Sequence, residues 1–221
     1  MATIYDYVKT YGKYDFIEKE FTEIDSLILS LLSYVDFRGI VPYIGNGSIK
    51  LKDASDILFK KYSKKKIERY LNAVQRSTYL LKDLANTKRY KNLYLLNYRY
   101  KTSRDMQFGA LCIKLPNRKM YVSFEGTDGN VSGWKEDFMM ASVFPQQAHK
   151  EAIRYLNQVV HLFGPKVYIG GHSKGGNLSL VSSMFAHRYV YNKIINIYSF
   201  DGPGLRLEEL NSDKYNRIKD K

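Results

Sequence analysis

The sequence predicts an α/β fold: a mostly parallel sheet with flanking helices, preceded by a helical N-terminal region. Three observations lead there. Residues 1 to about 92 carry apolar positions at helical spacing, the period changes to strand-like alternation near 93, and from 144 onward helical and strand patterns alternate. With 221 residues, 44% of them hydrophobic and 26% charged, the chain can bury one core with an appendage. The expected division is 1–92, helical and packed on the sheet, and 93–221, the core that carries the sheet.

In chain order, "FTEIDSLILSLLSYV" reads as a helix capped by Thr22, with Asp25 at the third position and Ile24, Leu27, Ile28, Leu31 and Leu32 on one face. Pro42, Gly45 and Gly47 make 38–48 a loop. Two or three amphipathic helices follow to about 92, with Asp53, Ser63 and Ser77 as candidate caps. "MQFGALCIKL" (106–115) and "MYVSFEGT" (120–127) are strands joined by a "PNRK" hairpin. The stretch 144–164 is a helix stopped by Gly164 and Pro165. Next come strand "KVYIG", a glycine knot, helix "NLSLVSSMFAHRYV" and strand "IINIYSF" (194–200). The ending "LRLEELNSDKYNRIKDK" reads as a charged helical or frayed tail.

Bulk properties bound the function. A net charge of +13 attracts polyanions, but basic residues are dense only in "KKYSKKKIER" (60–69). No zinc spacing or aromatic RNA-binding signature accompanies them, so nucleic acid is disfavoured and an anionic membrane surface stays a candidate partner. The lone Cys112, in a strand-like "GALCIKL", forbids an internal disulfide and points to a reducing, cytoplasmic setting. No signal peptide pattern is present, and the most apolar run, 24–35, is too short to span a bilayer. No metal or cofactor is implied.

The chemistry lies in "KVYIGGHSKGGNLSL". Gly171-His172-Ser173-Lys174-Gly175 satisfies G-x-S-x-G, in which a strand turns sharply into a helix. Such a turn strains the Ser backbone, needs glycine at both outer positions, and presents the hydroxyl at a helix N-terminus. A phosphate-binding loop requires Gly-Lys-Ser/Thr, the reverse of Ser-Lys-Gly, and a dinucleotide fingerprint does not fit "GGHSKGG".

"GGHSKGGNLSL" resembles the G-H-S-x-G-G signature of α/β-hydrolases, especially class 3 lipases, and "FEGTDGNVSGW" resembles their strand end and following Trp segment. The chain is still more similar to an uncharacterised bacterial α/β-hydrolase-like family in which "DSLILSLLSYVDF", "FEGTD", "GWKEDF", "GGHSKGGNL" and "YSFDGPG" recur in order. The resemblance implies an α/β-hydrolase-like core with Ser173 as nucleophile. It also implies two oxyanion donors, the Lys174 backbone amide and Thr127. Lys174 stands where the lipases usually carry Leu; its cation would suit an acidic substrate or lie in solvent.

A serine nucleophile needs a base. His172 sits inside the elbow, where neighbouring side chains diverge. His187 lies fourteen positions along, roughly 21 Å at helical rise. His161 ends the preceding helix at the opposite sheet edge, and His149, at the start of that helix, reads as an exposed N-terminal residue. Asp201 in "SFDGPG" is a candidate acid, or a turn former. By the lipase order, acid and base lie beyond Lys221, so the chain is expected to be a C-terminally truncated form. Two functions are carried forward. One is a serine hydrolase acting on an acyl ester or lipid-like substrate, with residues 128–144 (Trp134, Phe138, Met139, Met140, Phe144) as lid or core. The other is a non-catalytic scaffold that binds an anionic lipid or a protein partner.

Overall fold

A computed structural model describes residues 3–68, 76–104, 106–127, 144–161 and 164–221. One sheet holds six strands in chain order: β1 (Ser48–Lys50), β2 (Tyr94–Ser103), β3 (Met106–Leu115), β4 (Lys119–Phe124), β5 (Lys166–His172) and β6 (Ile194–Phe200). The first four pair antiparallel, whereas β4, β5 and β6 run parallel. The expected mostly parallel sheet is therefore a mixed one. Connection length decides this, because parallel neighbours need a crossover of a dozen or more residues. The β2–β3 and β3–β4 links are short turns, the latter made by consecutive positive φ at Asn117 (58°) and Arg118 (53°). The β1–β2 link is long and helical yet still returns antiparallel, and helical crossovers between parallel strands appear only after β4.

The helices are α1 (Ile4–Tyr11), α2 (Glu23–Leu31), α3 (Leu51–Lys61), α4 (Lys64–Lys66) and α5 (Ser77–Ala85), then α6 (Gln147–Val159), α7 (Lys174–Met184), α8 (Arg188–Tyr191), α9 (Leu207–Leu210) and α10 (Asp213–Ile218). None among the described residues is long and apolar enough to cross a membrane. Strand alternation sends side chains to two faces. Leu111, Ile113, Tyr121 and Tyr168 meet the N-terminal helices on one face, and Phe108, Cys112, Val122, Phe124 and Ile169 meet α6 and α7 on the other. Burial pushes the Cys112 thiol up to about 12, as suits a core position.

The α2 cap follows the sequence reading: Thr22 and Asp25 form a reciprocal capping box. Ile24, however, is exposed, and Ser26 and Ser30 are buried in its place. Both serines hydrogen-bond the Tyr121 hydroxyl, at 2.8 and 2.7 Å, which satisfies a fully buried phenol and seats α2 on β4. Ser63 caps α4, but Asp53 and Ser77 lie inside their helices. The loop expected over 38–48 ends in β1, which pairs with β2 and so ties the N-terminal region into the sheet.

The same region is fastened by a buried ion pair. Arg89 Nη2 lies 2.6 Å from Asp25 Oδ2, and both side chains are wholly inaccessible. The guanidinium also donates to the carbonyls of Lys19 and Glu20, and Tyr90 donates to Asp25 Oδ1 at 2.5 Å. With Arg89 Nε also donating to Oδ1 and the Thr22 amide to Oδ2, each carboxylate oxygen has at least two donors, the condition under which a buried pair holds. Arg89→Met should lower the unfolding free energy by about 3–5 kcal/mol, because it strands a buried carboxylate. A denaturant titration checks this; a loss under about 1 kcal/mol would show that Tyr90 and the helix amides suffice.

Candidate active site

Strand β5 ends at His172 and helix α7 begins at Lys174, so a single residue makes the turn. Ser173 has φ 55° and ψ −130°, a region that L residues avoid. Two backbone bonds hold it there: its N–H donates to the Phe200 carbonyl at 2.8 Å, and its own carbonyl accepts from Gly176 N–H at 2.9 Å. The glycines are sterically required. A methyl group on Gly171 would land on the Gly175 carbonyl, and one on Gly175 would land on the Phe124 carbonyl. Ser173 is half-buried at the rim formed by the C-terminal ends of the parallel strands.

The Lys174 side chain is fully buried, not in solvent. Its Nζ donates to the Gln107 carbonyl at 2.8 Å, tying the elbow to the start of β3. Lys174 is the first residue of α7, at the helix end where backbone amides favour an anion. Thr127 follows Gly126 just past β4, and a Cβ on Gly126 would meet the His172 carbonyl and the Tyr34 hydroxyl. The segment bearing Thr127 therefore abuts the elbow. Tyr34, which the sequence reading did not single out, contacts His172 Nδ1 at 3.0 Å and donates to the His172 carbonyl at 3.1 Å. Nothing in the spacing of "LLSYV" marks Tyr34, since its partner lies 138 positions away.

None of the four histidines hydrogen-bonds the Ser173 hydroxyl among the described residues. His149 is buried rather than exposed. Its Nδ1 accepts from Gln146 N–H at 3.0 Å, and its Nε2 lies 2.8 Å from Asn177 Oδ1 on the helix that carries Ser173. Both ring nitrogens are engaged, and burial holds its pKa below the ordinary imidazole value. Asn177 in turn donates to the Pro203 carbonyl at 3.1 Å, so this cluster anchors the loop after β6. His187 lies past the end of α7, and His161 is exposed at the opposite sheet edge.

Asp201 follows β6, at the same rim as the elbow, with a positive φ of 49°. Its side chain is 93% exposed, and Oδ2 stands 3.9 Å from His172 Nε2, outside hydrogen-bond reach. Burial lowers the His172 pKa, and the Asp201 charge partly opposes that shift. Of the expected lid, only Phe144 falls within the described residues; it packs on His149 and Phe185. Trp134, Phe138, Met139 and Met140 lie outside them.

Ser173→Gly should raise stability by about 1 kcal/mol, because glycine adopts this φ without strain, whereas Gly175→Ala should lower it by more than that. Thermal unfolding of both variants checks the pair. The histidines predict a pH dependence. A depressed folded pKa means the unfolded chain takes up the proton first, so stability falls as pH drops below about 6.5. Denaturation between pH 7.5 and 5.5 should show this slope, and His149→Gln should flatten it; an unchanged slope would assign it to His172.

A family model described as Mbeg1-like matches residues 84–221, more than half of the chain. No curated protein and no solved structure matches it.

Proposed function

The chain belongs to the Mbeg1-like family, and from that premise we propose that it is a serine hydrolase with an α/β-hydrolase-like core, acting on an acyl ester or lipid-like substrate. One observation carries the reading: Ser173 is held at φ 55° and ψ −130° between a strand and a helix, flanked by glycines that no other residue could replace. Strain held at a rim position is typical of sites where a side chain must be presented to a ligand.

In this reading the Ser173 hydroxyl gives its proton to a general base and attacks the ester carbonyl; the tetrahedral intermediate breaks its C–O bond, the alcohol leaves with that proton, and water then hydrolyses the acyl-enzyme. The Lys174 amide, backed by the α7 N-terminus, and Thr127 stabilise the oxyanion. The buried Lys174 side chain holds these donors in register, since it joins α7 to β3 beside the β4 end. Asp201 is the acid candidate on the rim. None of the described histidines is placed as the general base: the ring nitrogens of His149 are taken, His172 faces Tyr34 and Asp201, and His161 and His187 lie away from the elbow.

The engagement of His149 and the exposure of Asp201 favour a second reading, a non-catalytic scaffold that binds an anionic lipid or protein partner. A fluorophosphonate probe separates the two. It should label the native protein at Ser173 and leave Ser173→Ala unlabelled, with ester hydrolysis falling at least 10³-fold in that variant. A native protein that resists the probe while its fold is intact would leave the scaffold reading standing.

A further inference from the structure

A second concavity lies at the other end of the parallel strands. It is a groove of about 660 Å³, within the range of small-ligand sites, formed where the end of α6 meets the β2 bulge, the end of β3 and the start of β4. Leu96, Met120 and Val159 form its floor. These belong to the apolar cluster beneath α6, so the floor is the uncovered end of a core. Lys114 and Arg118, both exposed, stand at its rim.

The charge is one-sided. Among the described residues, no Asp or Glu lines the groove and no ion pair engages Lys114 or Arg118. Strand register extends the basic edge on the groove's own face, with Lys50 and Lys114 both opposite Tyr94. Cations at the mouth of a low-dielectric groove focus potential on an incoming anion, while the floor rewards a hydrocarbon. A polyanion such as RNA would leave that floor unused.

We infer that this groove binds an amphipathic anion, a carboxylate or phosphate headgroup on a hydrocarbon chain, with the head on Lys114 and Arg118 and the chain along Leu96, Met120 and Val159. The site is separate from the elbow, since the strands between the two edges span roughly 20 Å. The inference therefore stands whether or not Ser173 is catalytic.

Titration of the intact protein with oleate, followed by calorimetry, tests it. Oleate should saturate one site, while oleyl alcohol and inorganic phosphate each bind at least about tenfold more weakly. The double variant K114E/R118E should weaken oleate about tenfold, and Gln158→Trp, an exposed position on the groove wall, should abolish binding with the melting temperature unchanged. Prior phosphonylation of Ser173 should leave oleate binding intact, and loss of binding on that treatment would move the site to the elbow and overturn the inference. Vesicles containing phosphatidic acid form a second arm. Capture by vesicles that K114E/R118E abolishes supports the same site with a membrane as the source of the ligand. Equal oleate and vesicle binding by wild type and variants, or none by wild type, overturns it.

Discussion

The first turn of α7 is pressed so close to the ends of β4 and β5 that only bare backbone fits, and the sheet rim is organised by that approach. Gly175 lies against the Phe124 carbonyl and Gly171 against Gly175, which leaves Ser173 no ordinary conformation between them. Strain of this kind costs on the order of 1–3 kcal/mol. Burial of Leu178, Val181 and Met184 on the same helix offsets it, at about 1.5–3 kcal/mol for each side chain fully buried. The helix stays docked and the serine bears the distortion.

Other parts of the rim act as props for that contact. Lys174 turns its amine inward to the Gln107 carbonyl, and the Gln107 side chain approaches the Gly126 carbonyl at 3.5 Å, so α7, β3 and the segment after β4 form a continuous brace. A buried ammonium needs donors matched to acceptors, which explains a lysine whose reach ends on a backbone carbonyl. From the opposite face, Tyr34 reaches the His172 carbonyl and ring. From the α6 side, His149 and Asn177 hold the loop after β6. Three separate segments converge on one turn.

Much of this was legible in the sequence because it is local. The strands 106–115 and 194–200 match their expected limits, and Thr22 with Asp25 announces a helix start through short-range geometry alone. The strain at Ser173 could be read from glycine spacing for the same reason. Strand direction was harder. Alternation signals a strand but carries no sense of pairing: the short "PNRK" turn revealed β3 with β4, whereas the long link from β1 to β2 gave no such cue. The three-residue β1 has too few positions to show a period. Lys174 and His149 were misplaced because a polar residue looks exposed until its partner is known, and the partners Gln107 and Asn177 lie 67 and 28 positions away.

The matched segment, 84–221, contains β2 through β6 but almost none of what covers one side of them. Leu95, Leu111, Ile113, Tyr121 and Tyr168 would face water if that segment stood alone. Helices α2, α3 and α5 serve as the shield, and they meet the strands through apolar volume and a few hydroxyls, not through the elbow's exact stereochemistry. Evolution can thus rewrite the shield while keeping its bulk, whereas the rim tolerates almost no change. The family match over 84–221 accordingly takes in the strained rim and leaves most of the shield outside it.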